Sequence, residues 1–227
     1  MEKLTLRVAT FNIKNGSCVK HDMARLAGLI APLELDIVGL QEVDICTERA
    51  KGLDTLKLFA EAAGYKYYKF TPSIDYKGGK YGTAIMSRYP IVEHESVRLT
   101  TPDGHEGRAY GHAVIDVNGA GIDFYNTHLS VESRVARTVQ FGELDAAIEA
   151  RRGFILTGDF NTRHPDRTVI TSSKQVNPGL YPTFPRTGWD IDDIIVHKDW
   201  SITDSGILEI KIESDHNLLW AELRLNP

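Results

Sequence analysis

The chain has 227 residues, of which 42% are hydrophobic and 25% are charged. This composition excludes an intrinsically disordered chain, and the length is sufficient for one domain with a substantial core. The formal net charge of −5 argues against the broadly basic surface on which nonspecific nucleic-acid binding depends. We therefore expect one domain over residues 1–227.

Two features of the sequence bear on the cellular compartment. Cys18 and Cys46 stand outside any paired zinc or redox motif, which is typical of reduced thiols in a cytoplasmic protein. The N-terminal residues 1–8 lack the apolar segment of a signal peptide, and no run approaches the roughly 18 apolar residues of a membrane span. We expect a cytoplasmic monomer without stable membrane association; secretion after removal of a signal peptide is the alternative.

The first part of the chain is predicted to contain a strand, a helix, a buried strand and a second helix. These elements span residues 4–11, 21–34, 36–40 and 51–63. Alternation of apolar and polar residues favours the strands, and apolar residues three and four positions apart favour the helices. Asn12, Gln41 and Glu42 follow the two strands directly, so we expect these side chains at strand tips.

The rest of the chain is predicted to be rich in strands. The predicted strands span residues 65–70, 81–87, 91–99, 108–117, 122–127 and 154–157. Asn118-Gly119 predicts a tight hairpin, residues 73–80 a polar loop, and residues 132–150 a long helix. The last third is predicted to form short strands between proline-rich loops. Such clustering favours antiparallel neighbours over a wholly parallel sheet.

Eight polar residues lie at or just beyond the ends of predicted strands. They are Asn12, Glu42, His128, Asp159, Asn161, Asp192, Asp215 and His216. Because a packed sheet projects such side chains into a common cleft, we expect them to meet there. Hydrolysis of a phosphate ester needs a hard cation, a positioned water and donors around the phosphate, and these residue types supply each part. The oxygen ligands of Glu42 and Asn12 favour Mg²⁺, with Mn²⁺ as a substitute, over zinc.

Seven short segments, running from near the first residue to near the last, form an ordered pattern. They are Thr10-Phe11-Asn12-Ile13, Leu40-Gln41-Glu42-Val43, Tyr81-Gly82-Thr83-Ala84-Ile85 with Ser87-Arg88-Tyr89-Pro90-Ile91, Asn126-Thr127-His128-Leu129, Gly158-Asp159-Phe160-Asn161, Ile191-Asp192 and Ser214-Asp215-His216. In this order they resemble the signature blocks of the endonuclease/exonuclease/phosphatase superfamily of DNase I-like metal-dependent phosphoesterases. Each block is weak alone, but their order is specific.

The resemblance implies a four-layered α/β/β/α sandwich, in which helices flank two mixed, mainly antiparallel sheets and the site lies at one edge. It implies that residues 1–227 form a single catalytic domain that hydrolyses phosphate esters with a divalent metal. Glu42 would be the principal metal ligand, with Asn12 and Asp215 beside it. Asp159 would orient or deprotonate the attacking water, and Asn161 would hold the phosphate and that water.

The resemblance implies further roles around the phosphate. His216 would bind or protonate the phosphate while Asp192 fixes its tautomer, and His128 would contact a phosphate oxygen. Arg108 lies where many relatives have an arginine before a strand, which makes it a candidate substrate-binding residue. Asp159 and His216 can both be drawn as the general base, and we favour Asp159.

Two questions stay open at this stage. Asp193 stands where relatives commonly carry an aromatic residue, so either Asp192 or Asp193 can meet His216. The substrate is also open, because this superfamily includes nucleases, deadenylases, sphingomyelinases and inositol-polyphosphate phosphatases. The acidic balance favours a small phosphate ester or phosphorylated headgroup. The alternatives are a DNA or RNA endo- or exonuclease and a catalytically silent phosphate-binding module.

Overall fold

Two six-stranded β-sheets are the main feature of the computed structural model, which describes residues 4–149, 151–164 and 170–226. In chain order the strands are β1 (Thr5–Asn12), β2 (Ile37–Ile45), β3 (Tyr67–Tyr76), β4 (Gly79–Ser87), β5 (Ile91–Leu99), β6 (Arg108–Val117), β7 (Ala120–His128), β8 (Ile155–Asp159), β9 (Ser173–Gln175), β10 (Asp192–His197), β11 (Trp200–Leu208) and β12 (Leu218–Leu225). The α-helices are α1 (Met23–Ile30), α2 (Thr55–Ala63) and α3 (Arg134–Ile148), with 3-10 turns at Lys14–Val19 and Ala31–Leu33. No helix within these described ranges is both long and apolar enough to cross a membrane.

The first sheet has the strand order β11-β12-β1-β2-β4-β3, and the second has the order β5-β6-β7-β8-β10-β9. Among the described strand pairs, β1–β2 and β7–β8 are parallel and the others are antiparallel. Each sheet therefore has one parallel pair near its centre. The mixed, mainly antiparallel character predicted above is confirmed.

Three apolar clusters separate four layers. Val8 and Ile194 belong to the cluster between the sheets, where both are fully buried. Leu26 of α1 and Phe59 of α2 pack on the outer face of the first sheet, and Phe141 of α3 packs on the outer face of the second. This arrangement confirms the predicted α/β/β/α sandwich.

The helices begin later than predicted because a side chain caps each N-terminus. Asp22, Asp54 and Ser133 each accept a hydrogen bond from the backbone N–H three residues further on, and α1, α2 and α3 begin directly after them. Gly64 ends α2 as predicted, in a left-handed conformation with φ 78°. The predicted helix starts at residues 21, 51 and 132 were therefore each a few residues too early.

The polar loop predicted over residues 73–80 is wrong. Strand β3 continues to Tyr76, and Lys77 and Gly78 alone connect it to β4. Both turn residues have positive φ, 39° and 83°, as a two-residue hairpin turn that matches the strand twist requires. The hairpin predicted at Asn118-Gly119 is confirmed, with φ values of 55° and 91°.

A buried polar network joins the two sheets. Asn126 of β7 donates through Nδ2 to two backbone carbonyls of the first sheet, each at 2.8 Å. Its Oδ1 accepts hydrogen bonds from Gln41 Nε2 at 2.7 Å and from Thr157 Oγ1 at 3.0 Å. A side chain at Gly39 would overlap these oxygens, so the sheets approach this closely only with glycine there. The network holds Gln41 and Asn126, and hence the strand ends beside them, in fixed register.

Candidate active site

The two parallel strand pairs bring the predicted site residues together. In the first sheet Asn12, the last residue of β1, pairs with Gln41, which lies within β2. In the second sheet His128 pairs with Asp159, and Asp192 pairs with Asp159 from the other side. Because the carboxyl ends of β1, β7 and β8 meet at one edge of the sandwich, these residues converge there.

Glu42 is not at a strand tip. It lies inside β2, where the pairing with β4 is irregular between Leu40 and Val43, and its φ is 58°. A bulge of this kind redirects a side chain out of the normal alternation, which explains why Glu42 reaches the site. Asn12 Nδ2 donates to Glu42 Oε1 at 3.1 Å.

Asp159 is the centre of the site and is almost completely buried. Its Oδ2 accepts a hydrogen bond from Asn12 Nδ2 at 3.0 Å, and its Oδ1 accepts one from the backbone N–H of Asn161 at 2.9 Å. His128 Nε2 and His216 Nε2 lie 3.6 Å and 3.7 Å from Oδ2. Asp159 therefore contacts residues from both sheets.

The surroundings of Asp159 give it an unusual pKa. Burial raises the pKa, and the carboxylate of Asp192 raises it further, to about 7, against the opposing effects of His216 and of the hydrogen bonds from Asn12 and Asn161. A carboxylate with a pKa in this range can accept a proton near neutral pH, as a general base must.

His216 pairs with Asp192. Its Nδ1 lies 2.8 Å from Asp192 Oδ2, whereas Asp193 Oδ1 accepts a hydrogen bond from the backbone N–H of Asn177 at 2.8 Å. Burial lowers the pKa of His216, but Asp192, together with Asp159 and Asp215, outweighs this effect and raises it to about 10. The geometry answers the question left open by the sequence: Asp192 is the partner of His216.

We predict that Asp192→Asn lowers the pKa of His216 by about 1 to 3 pH units, because the largest favourable charge beside the buried imidazolium is removed. Titration of the ring nitrogens by ¹⁵N NMR measures this change directly. Asp193→Asn is the matched control, and it should leave the His216 titration where it is in the wild type. An unchanged titration in Asp192→Asn would contradict the ion pair.

His128 is held as a neutral imidazole. Asn161 Nδ2 lies 2.9 Å from His128 Nε2 and donates to the Leu129 carbonyl at 3.0 Å, so Nε2 of the ring is the acceptor. Burial lowers the pKa of His128 well below its usual range, and the nearby positive charges of Arg108 and His216 add to this effect. His128 can donate to a phosphate oxygen through Nε2 only after the ring proton moves to that nitrogen.

Arg108 presents a buried guanidinium. Its side chain is 3% exposed, and Nη1 lies 2.8 Å from Glu106 Oε1. Its Nε is buried and has no hydrogen-bond partner among the residues that the structure describes. A buried donor without a partner is costly, so this nitrogen is suited to an incoming acceptor such as a phosphate oxygen.

These side chains line a cleft of about 510 Å³. Of the predicted site residues, the cleft is lined by Glu42, Arg108, His128, Asp159, Asn161, Asp215 and His216. Asn12 and Asp192 lie behind this lining and contact Asp159 and His216 respectively. Further lining residues that the sequence did not single out for the site are Arg49, Tyr81, Glu106, Val131, Arg137, Phe184, Trp189 and Ile191.

Two groups of side chains offer ligands for a cation. Asp159, Asp192 and His216 each place one ligand atom within 4.8 Å of the others. Glu42 and Asp215, which both line the cleft, offer further carboxylate oxygens, and Asp215 Oδ2 already accepts a hydrogen bond from Lys14 Nζ at 2.7 Å. The raised pKa of His216 disfavours the first group, because an imidazole must lose its proton to bind a metal.

A sequence profile described as the Endonuclease/Exonuclease/phosphatase family matches residues 9–216. The chain belongs to this family. The match begins just before Asn12 and ends at His216, so it spans the whole set of converging residues. A comparison with curated proteins finds no significant match.

Solved structures of the endonuclease/exonuclease/phosphatase family share this fold. A family protein from Beutenbergia cavernae has a TM-score of 0.83 at 23% identity, over 98% of this chain and 72% of that one. A mannosyl-6-phosphatase from Bacteroides thetaiotaomicron has a TM-score of 0.78 at 20% identity, over 96% and 99%. The catalytic domain of human nocturnin, with bound sulfate, has a TM-score of 0.77 at 19% identity, over 99% and 97%.

Proposed function

We propose that this chain is a divalent-metal-dependent hydrolase of phosphate esters that acts, as one catalytic domain, on a small or headgroup-type substrate. One observation carries the proposal: the buried Oδ2 of Asp159 lies 3.7 Å from Nε2 of His216 and accepts a hydrogen bond from Asn12 in the cleft. A base and an acid side by side, next to the unpartnered donor of Arg108, suit attack of water on a phosphate.

Glu42, Asn12 and Asp215 are the residues we propose to hold Mg²⁺, or Mn²⁺ in its place. Their donor chemistry suits a hard cation: Glu42 and Asp215 offer carboxylate oxygens, and Asn12 offers the second lone pair of an amide oxygen that accepts a hydrogen bond from the Lys14 backbone N–H at 3.0 Å. Glu42 Oε2 accepts no hydrogen bond from any described residue, which leaves it available as a ligand. The ion pair between Asp215 Oδ2 and Lys14 Nζ at 2.7 Å supports this assignment, because it places a positive charge beside a proposed ligand. A bound divalent cation supplies charge neutralisation on the phosphate and leaving oxygens.

The protein side chains have complementary tasks in this proposal. Asp159 accepts a proton from the attacking water, and Asn161 positions the water and the phosphate. The imidazolium of His216 stabilises negative charge on the phosphate and can donate a proton to it. Arg108 binds a non-bridging oxygen through its free Nε. His128 donates a hydrogen bond to a phosphate oxygen after its ring proton has moved to Nε2.

Two of the similar structures support a phosphate ester as the substrate. One is named a mannosyl-6-phosphatase, and the nocturnin catalytic domain contains a sulfate, which has the shape and charge of a phosphate. At 20% and 19% identity, these two structures support the proposal through the shared fold.

A nuclease is the second candidate. Phe184 and Trp189 line the cleft, and Trp189 is 48% exposed, so an aromatic ring is available for stacking on a base. The two candidates separate in one assay, which compares hydrolysis of glycerophosphocholine, p-nitrophenyl phosphate and a short RNA and DNA at low and high salt in Mg²⁺. We expect turnover of the small esters; oligonucleotide cleavage that falls steeply with salt would favour the nuclease. Binding without turnover of any ester would indicate the silent module.

A further inference from the structure

Arg49 lines the cleft but has no part in the chemistry described above. Its Nε donates to Asp44 Oδ2 at 2.6 Å and its Nη2 donates to Asp44 Oδ1 at 2.9 Å, so the two side chains form a bidentate pair. The guanidinium also lies over the rings of Tyr76 and Tyr81, with its carbon 4.5 Å and 5.1 Å from their centroids. Arg49 is therefore held in one position before any ligand arrives.

The exposure of this pair is asymmetric. Asp44 is fully buried, whereas the side chain of Arg49 is 35% exposed. An arginine has five N–H donors, and the Asp44 contacts use the edge formed by Nε and Nη2. Within the described part of the chain, Nη1 makes no hydrogen bond. A rigid guanidinium with an open edge on a cleft wall is well suited to bind an anion.

The other arginines of the cleft are engaged differently. Arg108 pairs with Glu106 beside the catalytic residues, and Arg137 Nη1 donates to the backbone carbonyls of Ser130 and Val131. Arg49, in contrast, combines a fully buried carboxylate partner with an Nη1 that makes no hydrogen bond to any described residue. Its charge is available to a ligand without displacing a surface partner.

We propose that Arg49 binds a second anionic group of the substrate. The preferred substrates are then small phosphate esters whose organic part carries another phosphate or a carboxylate. This inference rests on the proposed function and names the class of substrate for the same site. The scissile phosphate would lie against Arg108 and Asp159, the organic part against Trp189, and the second anion at Arg49.

The test uses linear alkyl phosphates of three to six carbons, with a hydroxyl, a carboxylate or a second phosphate at the far end. We expect kcat/KM to be about 10- to 100-fold higher for the doubly anionic compound of the best length than for its hydroxyl counterpart, as a charge-assisted hydrogen bond provides. The carboxylate and bisphosphate arms show which anion is preferred.

The variant must not leave Asp44 as a lone buried charge, because Arg49→Gln alone could unfold the protein. We therefore use Asp44→Asn with Arg49→Gln, which replaces the ion pair by a neutral hydrogen-bonding pair. Arg7→Gln is the matched control, since it removes a surface arginine that pairs with Glu222. The measured quantity is the ratio of kcat/KM for the two compounds, which a partial loss of folded protein does not change.

We expect the double variant to lose the preference for the second anion and Arg7→Gln to keep it. No preference in the wild type, or a preference that survives in the double variant, would overturn the assignment of Arg49. Calorimetric titration of Asp159→Asn with the same compounds measures the preference without turnover. Absence of hydrolysis of every compound with Mg²⁺ or Mn²⁺ would instead count against the proposed function, and the titration would still decide the role of Arg49.

Discussion

Asp159→Asn is expected to lower kcat by about 10²- to 10⁴-fold, the range over which general bases contribute to catalysis. Asparagine keeps the shape of the side chain, and its Oδ1 can still accept the hydrogen bond from the backbone N–H of Asn161. Its Nδ2 replaces the oxygen that accepts from Asn12, and the side chain does not take a proton at neutral pH. Phosphate release from a small ester at saturating Mg²⁺ measures the effect. Retention of wild-type kcat would contradict the assignment of Asp159 as the base.

The same substitution separates loss of catalysis from loss of folding. Folding raises the pKa of Asp159 from 3.8 to about 7, so the ionised carboxylate is disfavoured in the folded state. The resulting cost is absent below pH 3.8, grows between pH 3.8 and 7, and is complete above pH 7. We therefore expect Asp159→Asn to unfold at the same or a higher temperature than the wild type at pH 8 in EDTA. A large drop in that temperature would mean that the kinetic loss reports misfolding.

Glu42→Gln is expected to lower the metal-dependent rate by about 100-fold or more, because a metal ion contributes several kcal/mol of charge stabilisation to such reactions. Glutamine keeps the acceptor for Asn12 Nδ2 but removes the negative charge. Calorimetric titration with Mn²⁺ should show weaker binding in the variant, which is a readout independent of turnover.

The control for Glu42→Gln is Glu61→Gln. Glu61 lies on the exposed face of α2, where its Oε1 is 3.9 Å from Lys57 Nζ. This variant removes the same charge at an exposed residue that does not line the cleft, and it should keep both the rate and the metal affinity. If Glu42→Gln binds Mn²⁺ as tightly as the wild type, the cation belongs instead with Asp159, Asp192 and His216.

The sequence was sufficient to predict the site residues that end a strand, because a short segment of sequence determines where such a strand ends. Asn12, His128 and Asp159 follow this rule, because each ends a strand of a parallel pair. Glu42 reaches the same cleft for a different reason, a bulge inside β2. The sequence did not predict that β2 continues past Leu40, because the polar Gln41 interrupts the apolar run. The hydrogen-bond partner that accommodates Gln41 inside the sheet is Asn126, which is 85 residues away in sequence.

The cleft wall was not predicted, because its contacts join distant segments. Arg49 reads as an ordinary surface charge until the β3–β4 hairpin places Tyr76 and Tyr81 beneath it. The loop predicted over residues 73–80 concealed this hairpin. The choice between Asp192 and Asp193 likewise depended on alternation along β10, which directs neighbouring side chains to opposite faces of the sheet.

The central claim is metal-dependent hydrolysis of a phosphate ester, and its most direct test is hydrolysis of bis-p-nitrophenyl phosphate and p-nitrophenyl phosphate. The wild type and Asp159→Ala are compared with EDTA, Mg²⁺ and Mn²⁺. We predict turnover of at least one compound by the wild type with metal, loss of that turnover with EDTA, and loss of it in Asp159→Ala. Turnover that is equal with and without metal, or equal in Asp159→Ala, would contradict the account.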